Sequence, residues 1–105
     1  MLPQKQILKL RKIFSNTNHG SEQQMIFKIL GDDNRYRIFE LLTKQQHLTV
    51  SDVAKILKIS IPLASQHVKS MFLANMIKKD RRGQKIDFYL VRTNPIIESI
   101  IKEIL

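Results

Sequence analysis

Apolar residues recur along this chain mainly at intervals of three and four, which is the spacing of one face of an α-helix. This pattern predicts six helices, over about residues 3–14, 22–30, 33–44, 50–57, 61–73 and 95–105. Residues 76–91 break the spacing, because apolar and polar side chains alternate there on both sides of Gly83, as in two hairpin strands. We therefore expect a mainly α chain with one small β-hairpin.

Short polar side chains stand where the predicted helices begin, and each can accept a hydrogen bond from a free backbone N–H group. Two pairs fit reciprocal capping boxes, Ser21 with Gln24 and Thr49 with Asp52. Two further positions suit single caps, Asp32 or Asp33 before the third helix and Ser60 before the fifth. The helix starts are therefore predicted by local chemistry as well as by periodicity.

The fourth and fifth predicted helices are joined by only Lys58-Ile59-Ser60, so they are expected to cross each other. Such a connection is typical of a helix-turn-helix, which we assign to residues 49–73, and the hairpin of residues 76–91 follows it directly. Together they predict a winged helix-turn-helix, an α+β fold, in a single domain of residues 1–105. The expected order is α-α-α-(β)-α-α-β-β-α, in which the bracketed strand is short.

The composition excludes several classes of protein. The 105 residues contain no cysteine, which rules out disulfides and thiolate metal sites within them. No apolar run reaches the ~18 residues that a membrane span needs, and the first residues lack the apolar core of a signal peptide. We expect a cytoplasmic protein with no membrane partner. Catalytic triads and paired carboxylates lack supporting context, so we expect no enzyme and no cofactor.

The formal net charge of +9 is distributed unevenly. Residues 1–20 carry four basic and no acidic side chains, and residues 48–91 carry eight basic and three acidic ones. Residues 21–47 and 92–105 are each neutral. The excess therefore lies on the first helix and on the winged-helix half. It suits a polyanion such as double-stranded DNA, because each phosphate that is neutralised releases condensed counterions.

Placing residues about 100° apart around the fifth helix separates an inward from an outward face. The inward face consists of Ala64, His67, Val68 and Met71. We interpret His67 as a packed and hydrogen-bonded histidine rather than as a ligand or a catalyst. The outward face is the predicted DNA-contacting surface, and it consists of Pro62, Leu63, Ser65, Gln66 and Lys69.

Each outward residue has a chemical use in the major groove. Gln66 can bond an adenine edge in a bidentate way, Pro62 and Leu63 can touch a thymine methyl group, and Ser65 can donate or accept a hydrogen bond. Lys69 suits a phosphate or a guanine. Leu63 has the alternative role of covering the fourth helix, and Ser65 that of allowing a close helix crossing.

The predicted wing carries a basic tip, formed by Lys79, Arg81, Arg82, Gly83, Gln84 and Lys85. Glycine suits a turn position with positive φ. A basic tip can lie against the DNA backbone or enter the minor groove, where narrow A·T tracts attract arginine. The alternative is a solvated edge hairpin whose charges prevent aggregation. We favour DNA binding because the hairpin directly follows a helix-turn-helix.

An ordered set of stretches resembles the ArsR/SmtB family of small dimeric winged-helix repressors. The similarity covers roughly Met25 to Leu90. Residues 27–42 resemble the family signature that enters the third helix, and residues 49–54 the start of its helix-turn-helix. Residues 60–71 resemble the family's recognition helix, with Ser65 and His67 in the expected places. Residues 81–90 resemble its wing.

The resemblance implies a homodimer that is formed by the first and last helices, binds an inverted repeat and blocks transcription. The apolar character of residues 1–15 and 95–105 agrees, because a monomer is expected to leave much of the last helix uncovered. We therefore assign the dimer interface to the apolar residues of both helices, which are Ile7, Leu10, Phe14, Ile96, Ile97, Ile100, Ile101 and Ile104.

The chain departs from the family at the sites of metal sensing. Metal-responsive members have thiolates where this chain has Thr49 and Ser51, or acidic and histidine ligands on the last helix. Here the last helix has no histidine, and Glu98 and Glu103 do not share a face. The three histidines, His19, His47 and His67, show no ligand spacing. We therefore predict no metal site, and the small-molecule or metal effector stays open.

The leading hypothesis is a sequence-specific regulator of transcription, most simply a repressor that binds a palindromic operator as a homodimer. The alternative is a winged-helix module whose basic face docks an acidic protein partner without reading DNA, because a fold does not dictate a function. The apolar front of the fifth helix, Ile61 to Leu63, supports the alternative.

Overall fold

The computed structural model describes residues 1–15 and 21–104, so the predicted positions His19 and Leu105 lie outside the described residues. Within this part of the chain, six helices and one two-stranded antiparallel sheet follow the expected order. The helices are α1 (Gln4–Ser15), α2 (Glu22–Leu30), α3 (Asp33–Lys44), α4 (Val50–Leu57), α5 (Ile61–Leu73) and α6 (Pro95–Ile104). The strands, β1 (Ile77–Arg82) and β2 (Lys85–Leu90), lie between α5 and α6 in the chain. The predicted fold class is confirmed.

Side-chain caps begin the helices at the predicted positions. Thr49 and Asp52 form a complete capping box at α4, in which each side chain accepts the other's backbone N–H at 3.0 Å. Ser60 Oγ accepts a backbone N–H in the first turn of α5 at 3.2 Å. Ser21 caps α2 and Asp32 caps α3 in the same way. These caps fix where α4 and α5 start and therefore which side chains face outward.

The core lies where α3, α4, α5 and the hairpin meet, and α2 and α6 add to it. Ile38 and Phe39 of α3 are completely buried, as is Met71 of α5. The helices α2 to α6, both strands and the connecting segments beside them all contribute. The other buried apolar residues are Ile26, Leu42, Leu48, Val53, Ala54, Ala64, Val68, Ala74, Met76, Ile77, Phe88, Leu90, Ile97 and Ile101. The helix-turn-helix is thus built on one continuous core.

The hairpin has a simple antiparallel register that runs from Ile77 opposite Leu90 to Arg82 opposite Lys85. Gly83 in the turn has φ of 65°, a left-handed conformation that glycine adopts without steric cost. The short strand that the sequence placed before α4 is a single bridge, in which Leu48 pairs with Phe88 of β2. This bridge joins the wing to the chain between α3 and α4.

The two terminal helices differ in how they pack. α6 buries Ile97 and Ile101 in the core of its own chain, because residues four apart lie on one face of a helix. These two side chains, predicted for a dimer interface, therefore do not lie on the surface of this chain. None of the twelve residues of α1, all of which are described, is buried. The radius of gyration of 17.7 Å exceeds the about 13 Å of a compact domain of this length.

No helix within the described ranges is both long and apolar enough to cross a membrane.

Candidate nucleic-acid interface

The outward face of α5 presents the predicted side chains. Pro62, Ser65, Gln66 and Lys69 are exposed, and Leu63 is half-buried. The opposite face is buried in the core, as predicted, and consists of Ala64, His67, Val68 and Met71. Because one face is fixed by packing, the exposed side chains project from a surface that is held in place.

His67 packs as predicted, but its hydrogen bonding differs from the expectation. The residue is 8% exposed, and its Nδ1 has no hydrogen-bond partner among the described residues. A carboxylate oxygen of Asp32 lies 3.8 Å from this nitrogen, and it accepts the backbone N–H of Arg35 in capping α3. This hydrogen bond is the main cause that lowers the pKa of Asp32.

The turn between α4 and α5 is set by the backbone and by one long-range contact. Lys58 ends α4 with φ of 56°, in the left-handed region that commonly terminates helices. The Arg37 guanidinium of α3 donates to the carbonyl of Leu57 at 3.4 Å, which satisfies a carbonyl at the end of α4. The crossing of α4 and α5 is thereby tied to α3.

The wing is attached to α5 through β1 and to the segment before α4 through β2. On β1, the ammonium of Lys79 lies 4.2 Å from the centre of the Phe72 ring near the end of α5, a cation–π contact. On β2, the backbone N–H of Leu90 donates to the Gln46 side chain at 2.9 Å. These contacts place the wing beside the recognition helix and limit its orientation.

A groove of about 570 Å³ separates the start of α4 from the wing. Lys55, Lys79 and Lys85 are among the residues that line it, over an apolar floor that includes Ile86 and Phe88. Three ammonium groups around one groove attract an anion such as a phosphate. The sequence assigned Lys79 and Lys85 to the DNA-binding surface but missed Lys55, which becomes their neighbour only when α4 packs beside the hairpin.

Basic and acidic side chains of residues 48–91 are sorted between surface and interior. All eight basic residues are exposed, whereas none of the three acidic residues is, since Asp87 is buried and Asp52 and Asp80 are half-buried. The Asp52 carboxylate completes the α4 capping box, and the backbone N–H of Thr49 is the main cause that lowers its pKa. The outer surface of the winged-helix half is therefore cationic.

One basic residue of the wing tip is already engaged. Arg82 Nε lies 3.5 Å from Asp80 Oδ2 and 3.6 Å from Asp87 Oδ2, so its guanidinium bridges two carboxylates. His47 joins the same group, with Nδ1 2.9 Å from Asp87 Oδ1. In the sequence Arg82 is equivalent to Arg81, because nothing local in the chain links it to His47, which lies 35 residues away. We call His47, Asp80 and Asp87 the wing-base cluster.

Comparison with known proteins identifies the same region. A family model described as winged helix-turn-helix DNA-binding matches residues 31–78, which include α3, α4 and the buried and exposed faces of α5. The match ends at the start of β1, so it does not extend over the wing tip.

Curated relatives are similar along most of the chain. The transcriptional repressor SdpR of Bacillus subtilis is 35% identical over 71% of this chain and 81% of its own length. The cadmium resistance transcriptional regulatory protein CadC of Listeria innocua is 31% identical over 68% of this chain, and the match spans 59% of that relative. Both names describe regulators of transcription and not enzymes, as the sequence analysis expected.

The solved structure of the transcriptional repressor PagR of Bacillus anthracis superposes with a TM-score of 0.70 at 28% identity. The superposition covers 80% of this chain and 93% of that one. The fold of the chain therefore matches that of a protein named as a transcriptional repressor.

The name of the cadmium regulator raises the question of a soft metal site. Soft metal ions favour thiolate ligands, and the 105 residues here contain no cysteine. The positions that the family resemblance singled out, Thr49 and Ser51, offer only hydroxyl groups. The side chains of this chain therefore do not suit a cadmium-type thiolate site.

Proposed function

The chain belongs to the ArsR/SmtB family of winged-helix transcriptional regulators, and on this premise we propose that it is a sequence-specific repressor that binds a palindromic operator in double-stranded DNA as a homodimer. The observation that carries the proposal is the combination of an exposed polar face on α5 with a cationic surface that surrounds it. The acidic side chains of the same region are withdrawn into caps and the wing base. A surface with many exposed cations and few exposed carboxylates attracts a polyanion such as DNA more strongly than an average protein surface does.

We assign sequence reading to α5. Gln66 is exposed in the middle of the helix, where its amide is available for the N6 and N7 edge of an adenine. Ser65 and Lys69 flank it, and Pro62 and Leu63 supply apolar contacts for a thymine methyl group. This set favours A·T pairs beneath the helix. The two recognition helices of a dimer would meet half-sites about 10 bp apart or at a multiple of that spacing.

We assign phosphate contacts to the wing and to the groove beside α4. Phosphate contacts position a protein on the duplex without reading its sequence. Arg81, Lys79 and Lys85 are exposed, as Gly83 and Gln84 of the turn are, and Lys55 extends the basic surface onto α4. Binding is then strongly dependent on salt, with a slope of about −0.9 in log affinity per phosphate contact.

We assign dimerisation to α1 together with the outer side of α6. Ile7 and Leu10 of α1 are half-buried and Phe14 is exposed, although the helix contributes nothing to the buried core of its chain. On α6, Ile96, Ile100 and Ile104 pack against the core but are only half-buried, and we assign their exposed part to contact with a partner. Apolar helices of this kind are covered most simply by a second copy with the same surfaces.

Selection from a pool of random duplexes, followed by gel-shift titration, tests the DNA-binding proposal. Enrichment of a palindrome with A·T pairs in each half-site, bound as two chains per duplex, is the expected result. Absence of binding even at low salt would exclude this function. That outcome would favour the protein-interaction module instead, which has its own support in the 56% exposed Ile61 at the front of α5.

Sedimentation of two matched variants tests the dimer. Leu10→Glu places a carboxylate on the apolar face of α1, whereas Lys9→Glu places the same group about 100° away, among the exposed lysines. We expect Leu10→Glu to sediment as a folded monomer and Lys9→Glu as a dimer. The dimer interface must lie elsewhere if both variants remain dimeric.

A further inference from the structure

The wing-base cluster brings together three side chains that bind metal ions in other proteins. One ligand atom from each of His47, Asp80 and Asp87 lies within 4.8 Å of the other two. The closest pair is His47 Nδ1 and Asp87 Oδ1, at 2.9 Å. Zinc binds imidazole nitrogen and carboxylate oxygen at about 2.0–2.2 Å, so two ligands on one ion stand about 3–4 Å apart. Only small side-chain rotations separate this arrangement from a coordinating one.

The register of the hairpin gives an independent reason to expect a cation at this place. Asp80 and Asp87 are direct cross-strand partners, so their carboxylates project from the same face of the sheet. Like charges that stand directly opposite each other destabilise a sheet. Asp87 is also buried, with 10% of its side chain exposed, which makes an uncompensated charge there more costly. The pair therefore needs a positive charge between its members.

Arg82 supplies that charge in this structure, but its hold on the cluster is weak. Its ion pairs with Asp80 and Asp87 are 3.5 and 3.6 Å long, and 62% of its side chain is exposed. The pair with Asp80 is exposed on both sides and contributes little, because water screens the charges and long side chains lose freedom. In the pair with Asp87 only the carboxylate is buried, so the guanidinium can leave it for solvent. A divalent cation brings twice the charge to the same oxygens and also uses the lone pair of His47 Nδ1.

We propose that His47, Asp80 and Asp87 form a binding site for one divalent transition-metal ion, with Zn²⁺ as the best match to the donors. One nitrogen and two oxygen ligands are a set of intermediate hardness, and three protein ligands leave a coordination position for water. The ion displaces Arg82 from the cluster. It also links the segment before α4, which carries His47, to both strands of the wing.

The displacement of Arg82 has a consequence that rests on the proposed DNA-binding function. A released guanidinium adds one cation to the phosphate-binding surface of the wing. Zinc-loaded protein then binds duplex DNA more tightly than metal-free protein does, and its salt slope is steeper by about 0.9, the value of one phosphate contact.

Calorimetric titration of the full chain with ZnCl₂, in the absence of DNA, tests the site itself. We expect one Zn²⁺ per chain, and Asp80→Asn should lower the affinity by at least about tenfold, since even changes around metal ligands commonly cost that much. Asp33→Asn makes the same chemical change at an exposed position of α3 and should leave the affinity unchanged. Asp80 is half-buried at the wing, so its variant is expected to fold, whereas a change of the buried Asp87 would disturb the core of the wing. Thermal unfolding checks that both variants fold.

Arg82→Ala provides the sharper test, because it predicts a gain. Removal of the competing guanidinium should raise Zn²⁺ affinity, by up to about fivefold if the ion pairs are worth what exposed pairs usually are. Nuclear magnetic resonance of the imidazole nitrogens should show the Zn²⁺-induced change at His47 and not at His67. Equal Zn²⁺ affinities in wild type and Asp80→Asn would overturn the proposal, as would a spectrum in which His47 does not respond.

The DNA measurement separates the two proposals. If Zn²⁺ binds the cluster but leaves DNA affinity and salt slope unchanged, the metal site stands and the release of Arg82 onto DNA is wrong. If no duplex is bound under any condition, the proposed function fails, while the calorimetric result on the site is unaffected.

Discussion

The recognition helix and the wing both present exposed basic and polar groups, but they are built differently. On α5, Gln66 and Lys69 are exposed, and the residues beneath them are apolar apart from His67. In the wing, the cations stand above their own acids, and Arg82 bridges Asp80 and Asp87. The helix therefore offers its groups directly, whereas the wing must first release one of its cations.

The difference shows that formal charge overstates what a surface can offer. Five excess positive charges fall on residues 48–91, which carry eight basic and three acidic side chains. That count treats all basic residues alike, although the guanidinium of Arg82 is shared with two carboxylates while that of its neighbour Arg81 donates to the backbone carbonyl of Gly83 at 3.4 Å. Burial and register decide which charges remain for a ligand.

The largest effect is expected from Gln66→Ala on α5. Loss of a bidentate contact to adenine should reduce the discrimination between the selected operator and a duplex with that pair changed by about 1–3 kcal/mol. Affinity for unrelated duplexes should stay the same. Gln23→Ala on α2, also exposed, serves as the control. Equal losses on operator and unrelated DNA would mean that Gln66 does not read sequence, and the contrast between helix and wing would disappear.

The wing should show the opposite behaviour. Arg81→Ala combined with Arg82→Ala should weaken binding to every duplex. If two phosphate contacts are lost, the ratio of wild-type to variant affinity should change by about tenfold between low and moderate salt. The slope of log affinity against log salt should fall by up to about 1.8. Gel shifts on operator and random duplexes measure both quantities. An unchanged affinity in a folded dimer would contradict the assignment of phosphate contacts to the wing.

The cap of α4 supports both regions, so its loss should change stability rather than specificity. Thr49→Ala removes the hydroxyl that accepts the backbone N–H of Asp52 and should lower the free energy of unfolding by about 1 kcal/mol. Urea unfolding measures this change. Affinity per folded dimer should stay within error of wild type on all duplexes, and a selective loss on the operator would show that the cap also shapes the reading surface.

The same cap predicts a dependence on pH. Hydrogen bonds from Thr49 lower the pKa of Asp52 in the folded protein below its ordinary value. The stabilisation by the ionised carboxylate is therefore complete above the unfolded pKa and is lost as pH falls through the folded pKa. Asp52→Asn should be less stable than wild type near neutral pH, and the difference should shrink in acid. A constant difference across this range would exclude the ionised carboxylate as its source.

How well the sequence predicted each feature depends on the range of the interactions that determine it. Thr49 and Ser60 act within three residues along the chain, so both caps were predicted, and the buried face of α5 follows from helical geometry alone. The wing-base cluster was missed because His47 meets Asp87 across 40 residues of chain. The sequence alone indicates only that Asp80 and Asp87 pair across the hairpin, since both positions can be counted outward from Gly83.

The terminal helices show the same limit in packing. Both are apolar in sequence, and their burial differs because α6 returns to the core of its own chain while α1 does not. Periodicity shows that a helix has an apolar face, but it does not show what covers that face. Ile97 and Ile101 are covered within the chain, and the predicted interface therefore depends on the remaining apolar residues of α6 and on α1.

The smallest predicted effect compares the two neighbouring arginines of the wing. Arg81→Ala should weaken binding to all duplexes by the full value of one phosphate contact, about 0.9 in salt slope. Arg82→Ala in metal-free protein should lower the slope by less, because Arg82 gives up its ion pairs with Asp80 and Asp87 in order to reach DNA. Salt titrations of both single variants measure the difference. In the presence of Zn²⁺ the two variants should converge, since the ion then holds the carboxylates. Equal slopes in metal-free protein would mean that Asp80 and Asp87 do not restrain Arg82. The wing would then offer all of its cations directly, as the recognition helix does.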